Sequence, residues 1–376
     1  MSEDTTGTVK PALGIDDGTY TLVAARRNEN NDFVFRDDVN GFIEVELNQA
    51  NKRMLKMSED SGAPVFYPTN SNVAYIMGEH AREIAISWSS VLNPEGSVGT
   101  VFRRTMKGGI LSVKDSTSSF SILATMLQAL ASPLPCDNCP IAFAYPGRPI
   151  NMPENSQADP EFHKNMIIKM LSNVHGVPAR PFGVNEAAAI VWSECQKEMW
   201  TGLGISFGAG MVNVALIQMS VEIFSFSFVG GGDWIDQQSS LASNVDPVII
   251  NEIKMGNEDE GIPGIDLTIP SDSQESYELK TIQTNYEILI GKVVDAIAQH
   301  IRKEGHRVGG KKPSVVVAGG TSRPKGFIEL LQKKLNQAVE QKKFGDFKFG
   351  EVRMAKDPLY TVARGLLIAA EESERG

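Results

Sequence analysis

Three glycine-bearing segments constrain this chain most, because they stand in a fixed order across almost its whole length. They are Leu13-Gly14-Ile15-Asp16-Asp17-Gly18-Thr19-Tyr20-Thr21, then Gly204-Ile205-Ser206-Phe207-Gly208-Ala209-Gly210, then Val315-Val316-Val317-Ala318-Gly319-Gly320-Thr321-Ser322-Arg323. The first two place glycine in a tight turn after an apolar run, where the missing Cβ lets backbone N–H groups approach and cradle phosphate oxygens. Two such turns can grip one polyphosphate from both sides. In the third, the apolar run Ser314 to Ala318 reads as a buried strand ending in Gly319-Gly320, and helical character follows Pro324; this suits close approach to a nucleoside. The Gly208-Ala209-Gly210 turn is not a dinucleotide loop, since it lacks the third glycine and the acidic residue about 20 positions on.

The segments resemble the phosphate-1, phosphate-2 and adenosine motifs of the actin, sugar kinase and DnaK-type chaperone superfamily, and the resemblance spans nearly the entire chain. Between them, Val184-Asn185-Glu186-Ala187-Ala188-Ala189 resembles the first connecting motif of that superfamily. Within the superfamily, Ile76-Met77-Gly78-Glu79-His80-Ala81 and Arg104-Thr105-Met106-Lys107-Gly108-Gly109-Ile110-Leu111 are similar to segments of the bacterial actins MreB and MamK. Gly231-Gly232-Asp233-Trp234-Ile235-Asp236 and Lys356 to Gly365 fit the same subgroup, although DnaK-type chaperones carry close counterparts of both. The fold implied is the α/β actin-like ATPase fold: two similar lobes, each a mixed β-sheet flanked by helices, with a nucleotide cleft between them.

The length of 376 residues suits such a two-lobed core, and 41% apolar with 22% charged residues is ordinary globular composition. A DnaK-type chaperone would add a peptide-binding domain, and none is read here. The net charge of −10 repels phosphate backbones and anionic lipid, so neither nucleic acid nor membrane is the expected partner. Cys136, Cys139 and Cys195 make no even disulfide framework, and Cys136-Asp137-Asn138-Cys139 reads as a loop without a second ligand pair. No stretch reaches the roughly 18 apolar residues of a membrane span. Residues 1 to 12 are polar, unlike the amphipathic membrane-binding helix at the start of many MreB proteins. A reducing cytoplasm is the expected setting.

Leu13 to Arg27 and Asp32 to Asp37 read as consecutive strands around the polar turn Asn28 to Asn31. Ser116 to Ala131 and Pro160 to Val174 show helical spacing, with Ile141 to Tyr145 a buried strand between them. Helices are further expected over Glu186 to Met199, Tyr286 to Lys303 and Pro358 to Glu374, with a solvated acidic loop at Gly256 to Gly261. Lobe I is expected over 12–202, with an outer subdomain at about 39–107 and the 358–374 helix returning to it. Lobe II is expected over 203–357, with an outer subdomain at about 237–287.

The resemblance implies ATP/ADP and Mg2+ as ligands and assigns roles residue by residue. Asp16 matches the acid that organises the magnesium water shell. Gly18, Thr19 and Tyr20, with Gly208, Ala209 and Gly210, supply phosphate donors. Glu186 matches the residue that orients the attacking water, although an acid in the first turn of a helix also interacts well with the dipole. Gly319, Gly320, Thr321, Arg323 and Gly232 match positions around the nucleoside. Asn251-Glu252-Ile253-Lys254 resembles the helix flanking the adenine in MreB, so Glu252 and Lys254 join the set, although an exposed helix face accounts for them equally well. Taken alone, Asp16 reads as a side chain capping its own turn.

Four positions depart from the pattern. Ser206 stands where the phosphate-2 motif has aspartate, Asn213 where many relatives have a second one, and Met211 where a hydroxyl residue is usual. Asp17 stands where the family has an apolar residue. Nucleotide binding is therefore expected with slow hydrolysis, in a filament-forming cytoskeletal ATPase that assembles head to tail with itself and with accessory proteins. The alternative is a DnaK-like switch that binds a partner protein and never polymerises. Sugar or acyl phosphotransfer needs a substrate-facing aspartate in the cleft, for which no candidate stands out.

Overall fold

The computed structural model describes residues 11–92, 102–113, 115–152, 159–257, 261–308 and 312–374. The chain opens with a three-stranded meander: β1 (Leu13–Asp17), β2 (Thr21–Arg27) and β3 (Phe33–Val39). The expected single strand Leu13 to Arg27 is thus two strands, folded back antiparallel at Gly18-Thr19-Tyr20. The next turn closes because Asn28 Oδ1 accepts from the Asn30 and Asp32 N–H groups at 3.0 and 2.8 Å.

The chain then builds β4 (Phe42–Glu46), α1 (Gln49–Asp60), β5 (Val65–Phe66), β6 (Val73–Met77) and α2 (Gly78–Leu92). These form a small sheet in the order β4-β6-β5 with its own core of Ile43, Val45, Leu55 and Ile76. Next come α3 (Thr117–Ala131), β7 (Cys139–Tyr145), α4 (Pro160–Leu171), β8 (Asn173–Val174), β9 (Val177–Asn185) and α5 (Glu186–Glu194). Side chains of Ser116, Asp159 and Asn185 cap the three helices, and Pro160 sits where its missing N–H costs nothing. Parallel pairing of β1 with β7 and β7 with β9 gives a six-stranded sheet in the order β3-β2-β1-β7-β9-β8.

The second half repeats that plan. It runs β10 (Gly202–Phe207), β11 (Met211–Gln218), β12 (Val221–Val229), α6 (Gly232–Ser243), α7 (Pro247–Met255), β13 (Gly256–Asn257), β14 (Ile262–Pro263), α8 (Tyr277–Glu304), β15 (Ser314–Ala318), α9 (Phe327–Glu340), β16 (Val352–Met354) and α10 (Thr361–Glu372). Its sheet order, β12-β11-β10-β15-β16, matches β3-β2-β1-β7-β9 strand for strand. The likeness extends to residues: Leu13-Gly14-Ile15-Asp16-Asp17-Gly18 on β1 parallels Leu203-Gly204-Ile205-Ser206-Phe207-Gly208 on β10.

The two sheets meet through α5 and α10, which pack in a core rich in Ala187, Ala188, Ala189 and Ala363. Three glycines permit the contact. A Cβ on Gly14 would lie 2.3 Å from Ala363 O, one on Gly204 would lie 2.1 Å from Ala187 O, and one on Gly365 would lie 1.9 Å from Ala189 O.

Several boundaries differ from expectation. α5 stops at Glu194, because Cys195 caps it and Met199 and Trp200 adopt left-handed backbone, φ 53° and 49°. α4 stops at Leu171 because Asn173–Val174 pairs with β9. α8 starts nine residues early, at Tyr277, with Ser276 Oγ accepting from Leu279 N. A boundary near 287 would therefore cut a continuous helix. Residues 1–10 and 258–260, which carry most of the polar start and the three acids of the acidic loop, lie outside the described residues. Among the described residues no helix is long and apolar enough to cross a membrane, and no group of three His, Cys, Asp or Glu side chains is arranged to hold a metal ion. Cys136 and Cys139 are free thiols.

The helix crossing yields a stability prediction. Gly365→Val forces a side chain into the Ala189 carbonyl and is expected to cost about 3 kcal/mol or more. Gly291→Ala in α8, whose Cβ meets nothing within 4 Å, is expected to stabilise by about 0.5–1 kcal/mol. Urea denaturation of both variants measures the contrast.

Candidate functional site

Because β1–β2 and β10–β11 are equivalent hairpins, their turns arrive at equivalent places and face each other. A Cβ on Gly210 would lie 2.6 Å from Thr19 Oγ1 and 2.4 Å from Gly109 N. Between the turns lies a cavity of about 40 Å³, lined by Asp16, Asp17, Gly18, Thr19, His163, Glu186 and the Gly208–Met211 turn.

Each turn is held from behind. Asn40, fully buried, donates from Nδ2 to Gly18 O at 2.9 Å and from its backbone N–H to Tyr20 O at 2.7 Å, while Thr105 Oγ1 donates to Asn40 Oδ1 at 2.5 Å. On the other side, the N–H groups of Gly232 and Asp233 at the start of α6 donate to Gly208 O and Ala209 O at 3.1 and 2.9 Å. Thr321 Oγ1 donates to Gly208 O at 2.9 Å. Gly319 adopts φ 94°, and a Cβ there would lie 2.4 Å from Phe207 O, so only glycine fits. Gly208, Gly232 and Thr321 are thus one hydrogen-bonded unit, next to Gly319 packed on Phe207 and the open backbone of Gly320.

Lys254 joins that unit as a structural cation. It is 4% exposed, and its Nζ donates to Asp236 Oδ1 at 2.6 Å and Gly232 O at 3.2 Å. Glu252 stands on the exposed face of α7, and Arg323 is exposed after the Gly320–Ser322 turn; neither lines the cavity.

The floor of the cleft is acidic. Burial, then the nearby Glu186 and Asp17 carboxylates, hold the Asp16 carboxyl well above its usual range. Burial likewise pushes Glu186 up to about 7, opposed by a hydrogen bond from Ser206. Asn213 Nδ2 also donates to Glu186 Oε2, at 2.5 Å. The two residues that depart from the family's acids are therefore the ones that hold Glu186, and an acid at either place would add a like charge beside it.

Four residues of the site, Asp17, His163, Asn40 and Arg104, carried no role from sequence. Asp17 is buried, with His163 Nε2 3.1 Å from its Oδ2; His163 Nδ1 accepts from Leu111 N–H at 3.2 Å, leaving Nε2 as the proton-bearing nitrogen. Asn40 lies 65 residues from its partner Thr105. Arg104 crosses the cleft mouth: its Nη1 is 2.6 Å from both carboxylate oxygens of Asp233, and its guanidinium lies 4.7 Å from the Tyr20 ring centre. The Gly108-Gly109 turn beside it presses on Met211 and Gly210.

Comparison with known proteins follows this geometry. A family model described as Volactin matches residues 12–370. No curated protein matches the chain in sequence. Among solved structures, the chain is similar to a MamK double helical filament, at 17% identity and TM-score 0.64, over 96% of this chain and 98% of that one. It is also similar to MreB 5 of Spiroplasma citri bound to AMPPNP, at 14% identity and TM-score 0.56, over 97% of both chains. The ethanolamine utilization protein EutJ from Carboxydothermus hydrogenoformans aligns over 96% of this chain and 90% of its own, at 13% identity and TM-score 0.50. The fold is the actin-like ATPase fold.

The raised Glu186 value predicts a pH effect. The folded state keeps a proton that the unfolded chain releases between pH 4.5 and about 7, so the stability of the protonated form is complete below that window and is lost as pH rises through about 7. Unliganded Glu186→Gln should escape this loss. Its thermal midpoint should exceed the parent's at about pH 8, by up to a few kcal/mol in stability, and the gap should close towards about pH 4.

Proposed function

Since the chain belongs to the Volactin family, we propose that it is an ATP-binding, Mg2+-dependent actin-like ATPase that hydrolyses slowly and assembles head to tail into cytoplasmic filaments. The observation that carries this reading is the pair of facing turns, at matched places in a duplicated sheet, over a floor holding Asp16 and Glu186. A nucleotide between them meets the N–H groups of Gly18, Thr19 and Tyr20 from one lobe and of Gly208, Ala209 and Gly210 from the other. Gly232 and Gly319 to Thr321 flank its nucleoside.

The residues fit a magnesium ion of one kind. Burial first, and then neighbouring carboxylates, raise the hold of Asp16 and Glu186 on their protons, so a cation that restores their ionised forms is favoured there. The absence among the described residues of a three-ligand cluster suits an ion that keeps its waters and takes its other ligands from phosphate. Bound there, it would offset the charge that develops on the phosphates. Asp16 would hold its water shell. Glu186, fixed by Asn213 and Ser206, would orient the attacking water.

Two variants test the assignment by phosphate release, with pelleting of the same samples. Glu186→Gln should lower turnover about a hundredfold or more while ATP still binds. Ser206→Asp should raise magnesium-dependent turnover about tenfold or more, because it restores the second acidic side of the clamp. Turnover in the unaltered chain without filaments would favour the partner-binding switch over the filament.

A further inference from the structure

The duplicated plan lets the two halves be compared place by place. Along β1, Leu13, Ile15 and Asp17 alternate onto one face, where Leu13 and Ile15 join the core beneath α4, while Gly14 and Asp16 take the other. In β10 the same row is Leu203, Ile205 and Phe207, all fully buried. Phe207 meets Phe327, the first residue of α9, with ring centres 4.9 Å apart and planes at 74°. In the first half α4 follows β7 as α9 follows β15, and the pair at the matching place is Asp17 and His163, 5 and 2% exposed. One half closes the end of its sheet with two aromatic rings, the other with a carboxylate and an imidazole.

That choice does not favour folding, because apolar packing at a buried place is usually at least as stabilising as a polar pair that must be desolvated. The pair is also incompletely satisfied. His163 Nδ1 accepts from Leu111 N–H at 3.2 Å and its Nε2 lies 3.1 Å from Asp17 Oδ2. An imidazole that accepts at one nitrogen and donates at the other is neutral. Asp17 Oδ1 has no donor among the described residues. The walls offer no cation either: the cavity is lined by three acids, Asp16, Asp17 and Glu186, and by no lysine or arginine. Buried charges are kept where they are paired or coordinate a metal.

Space and position fit a hydrated ion. The cavity of about 40 Å³ has room for about three waters, at about 10–15 Å³ each, and a magnesium ion that binds phosphate keeps several of its own. Asp17 follows Asp16 directly, and its charge is felt across the floor. After burial, it is among the groups that raise the hold of both Asp16 and Glu186 on their protons. On the facing turn, the residue that matches Asp16 is the uncharged Ser206.

We propose that Asp17 is a second cation-holding residue of the cleft. Its free carboxylate oxygen accepts from waters of the nucleotide-bound magnesium ion, beside Asp16, and supplies there the charge that Ser206 lacks. The buried carboxylate is then a cost to the unliganded fold that cation binding relieves. This inference rests on the ATP and magnesium reading and adds a residue to it.

The test uses the full chain with ADP and with Mn2+ in place of magnesium, the free ion being read by electron paramagnetic resonance. Asp17→Leu gives the first half an apolar residue like that of the second, and Asp17→Asn keeps the shape and removes the charge. Each should weaken Mn2+ binding about tenfold or more. The unliganded Asp17→Leu chain should melt no earlier than the unaltered chain by circular dichroism. Binding of a fluorescent ADP analogue in EDTA should match the unaltered chain in both variants; a loss there would make Asp17 a support of the turn and overturn its cation role. Adding Ser206→Asp to Asp17→Leu should recover most of the lost Mn2+ affinity, and a double variant no tighter than Asp17→Leu overturns the claim that Asp17 stands in for an acid at 206. If both single variants hold Mn2+ as tightly as the unaltered chain, or if only Asp17→Leu weakens it, the charge at Asp17 has no part in the cation site and the nucleotide reading stands. An unaltered chain that retains no Mn2+ with ADP overturns the ATP and magnesium reading and this residue with it.

Discussion

The approach of α5 to α10 through Gly365 and Ala189 is the contact on which the rest depends. Each helix also lies on the central strand of one sheet, α10 against Gly14 of β1 and α5 against Gly204 of β10. A side chain at any of these glycines would push helix from strand or helix from helix. The hairpin turns sit four residues beyond Gly14 and Gly204, on the same rigid strands, so the width of the cleft is set by a contact outside it. Both chain connections between the halves, β9 to β10 through α5 and β16 onward through α10, pass through this crossing.

The chemistry of the cleft follows from how charge is shared between the halves. The first half supplies Asp16, Asp17 and Glu186, while the second supplies neutral Ser206 and Asn213 at the facing places. Burying carboxylates side by side in one small space is already costly: burial first, then the neighbouring carboxylates, push Asp16 and Glu186 upward. Two more acids would face Glu186 directly. The neutral residues instead donate to it, fixing its orientation and easing its ionisation. The exchange sacrifices charge around a bound cation for a well-held Glu186, which is the physical basis for expecting tight binding with slow turnover.

The glycine turns and the strands leading into them were legible in the sequence because backbone geometry there admits no Cβ, and that demand is local. The likeness of β1 to β10 is also local, visible in Leu-Gly-Ile followed by Gly at the same spacing, although its meaning rests on the matching sheet order. What sequence concealed was long-range. Asn40 behind the first turn, His163 against Asp17 and Arg104 on Asp233 are ordinary polar residues whose partners lie far along the chain. Lys254 shows the converse: its place in the chain suggested a ligand contact, and the fold uses its ammonium to hold α7 on α6 through Asp236. Helix ends also misled wherever apolar spacing ran on past a cap, as at Cys195, or began before the spacing became clear, as at Tyr277.

The cavity between the turns is narrow, about 40 Å³, and its walls come from both halves of the chain. Two sets of contacts join the halves. Residues 147–151 lie along β12, with Ile150 N donating to Ser227 O at 3.0 Å, Asn151 Nδ2 to Val229 O at 2.7 Å and Ser227 Oγ to Gly147 O at 2.7 Å; the second set lies at the cleft mouth. Arg104 holds Asp233 across the mouth and lies over Tyr20, and the Gly108-Gly109 turn leans on Gly210 and Met211. The ion pair is about one quarter exposed on each side chain, which keeps its contribution modest. The glycine turn adds shape rather than strength. A closure of that kind can be displaced by a ligand that offers its own charge and hydrogen bonds, whereas the α5–α10 crossing cannot. Rigidity is thus concentrated in the α5–α10 crossing and the pairing of 147–151 with β12, and the displaceable contact is the one Arg104 makes at the mouth.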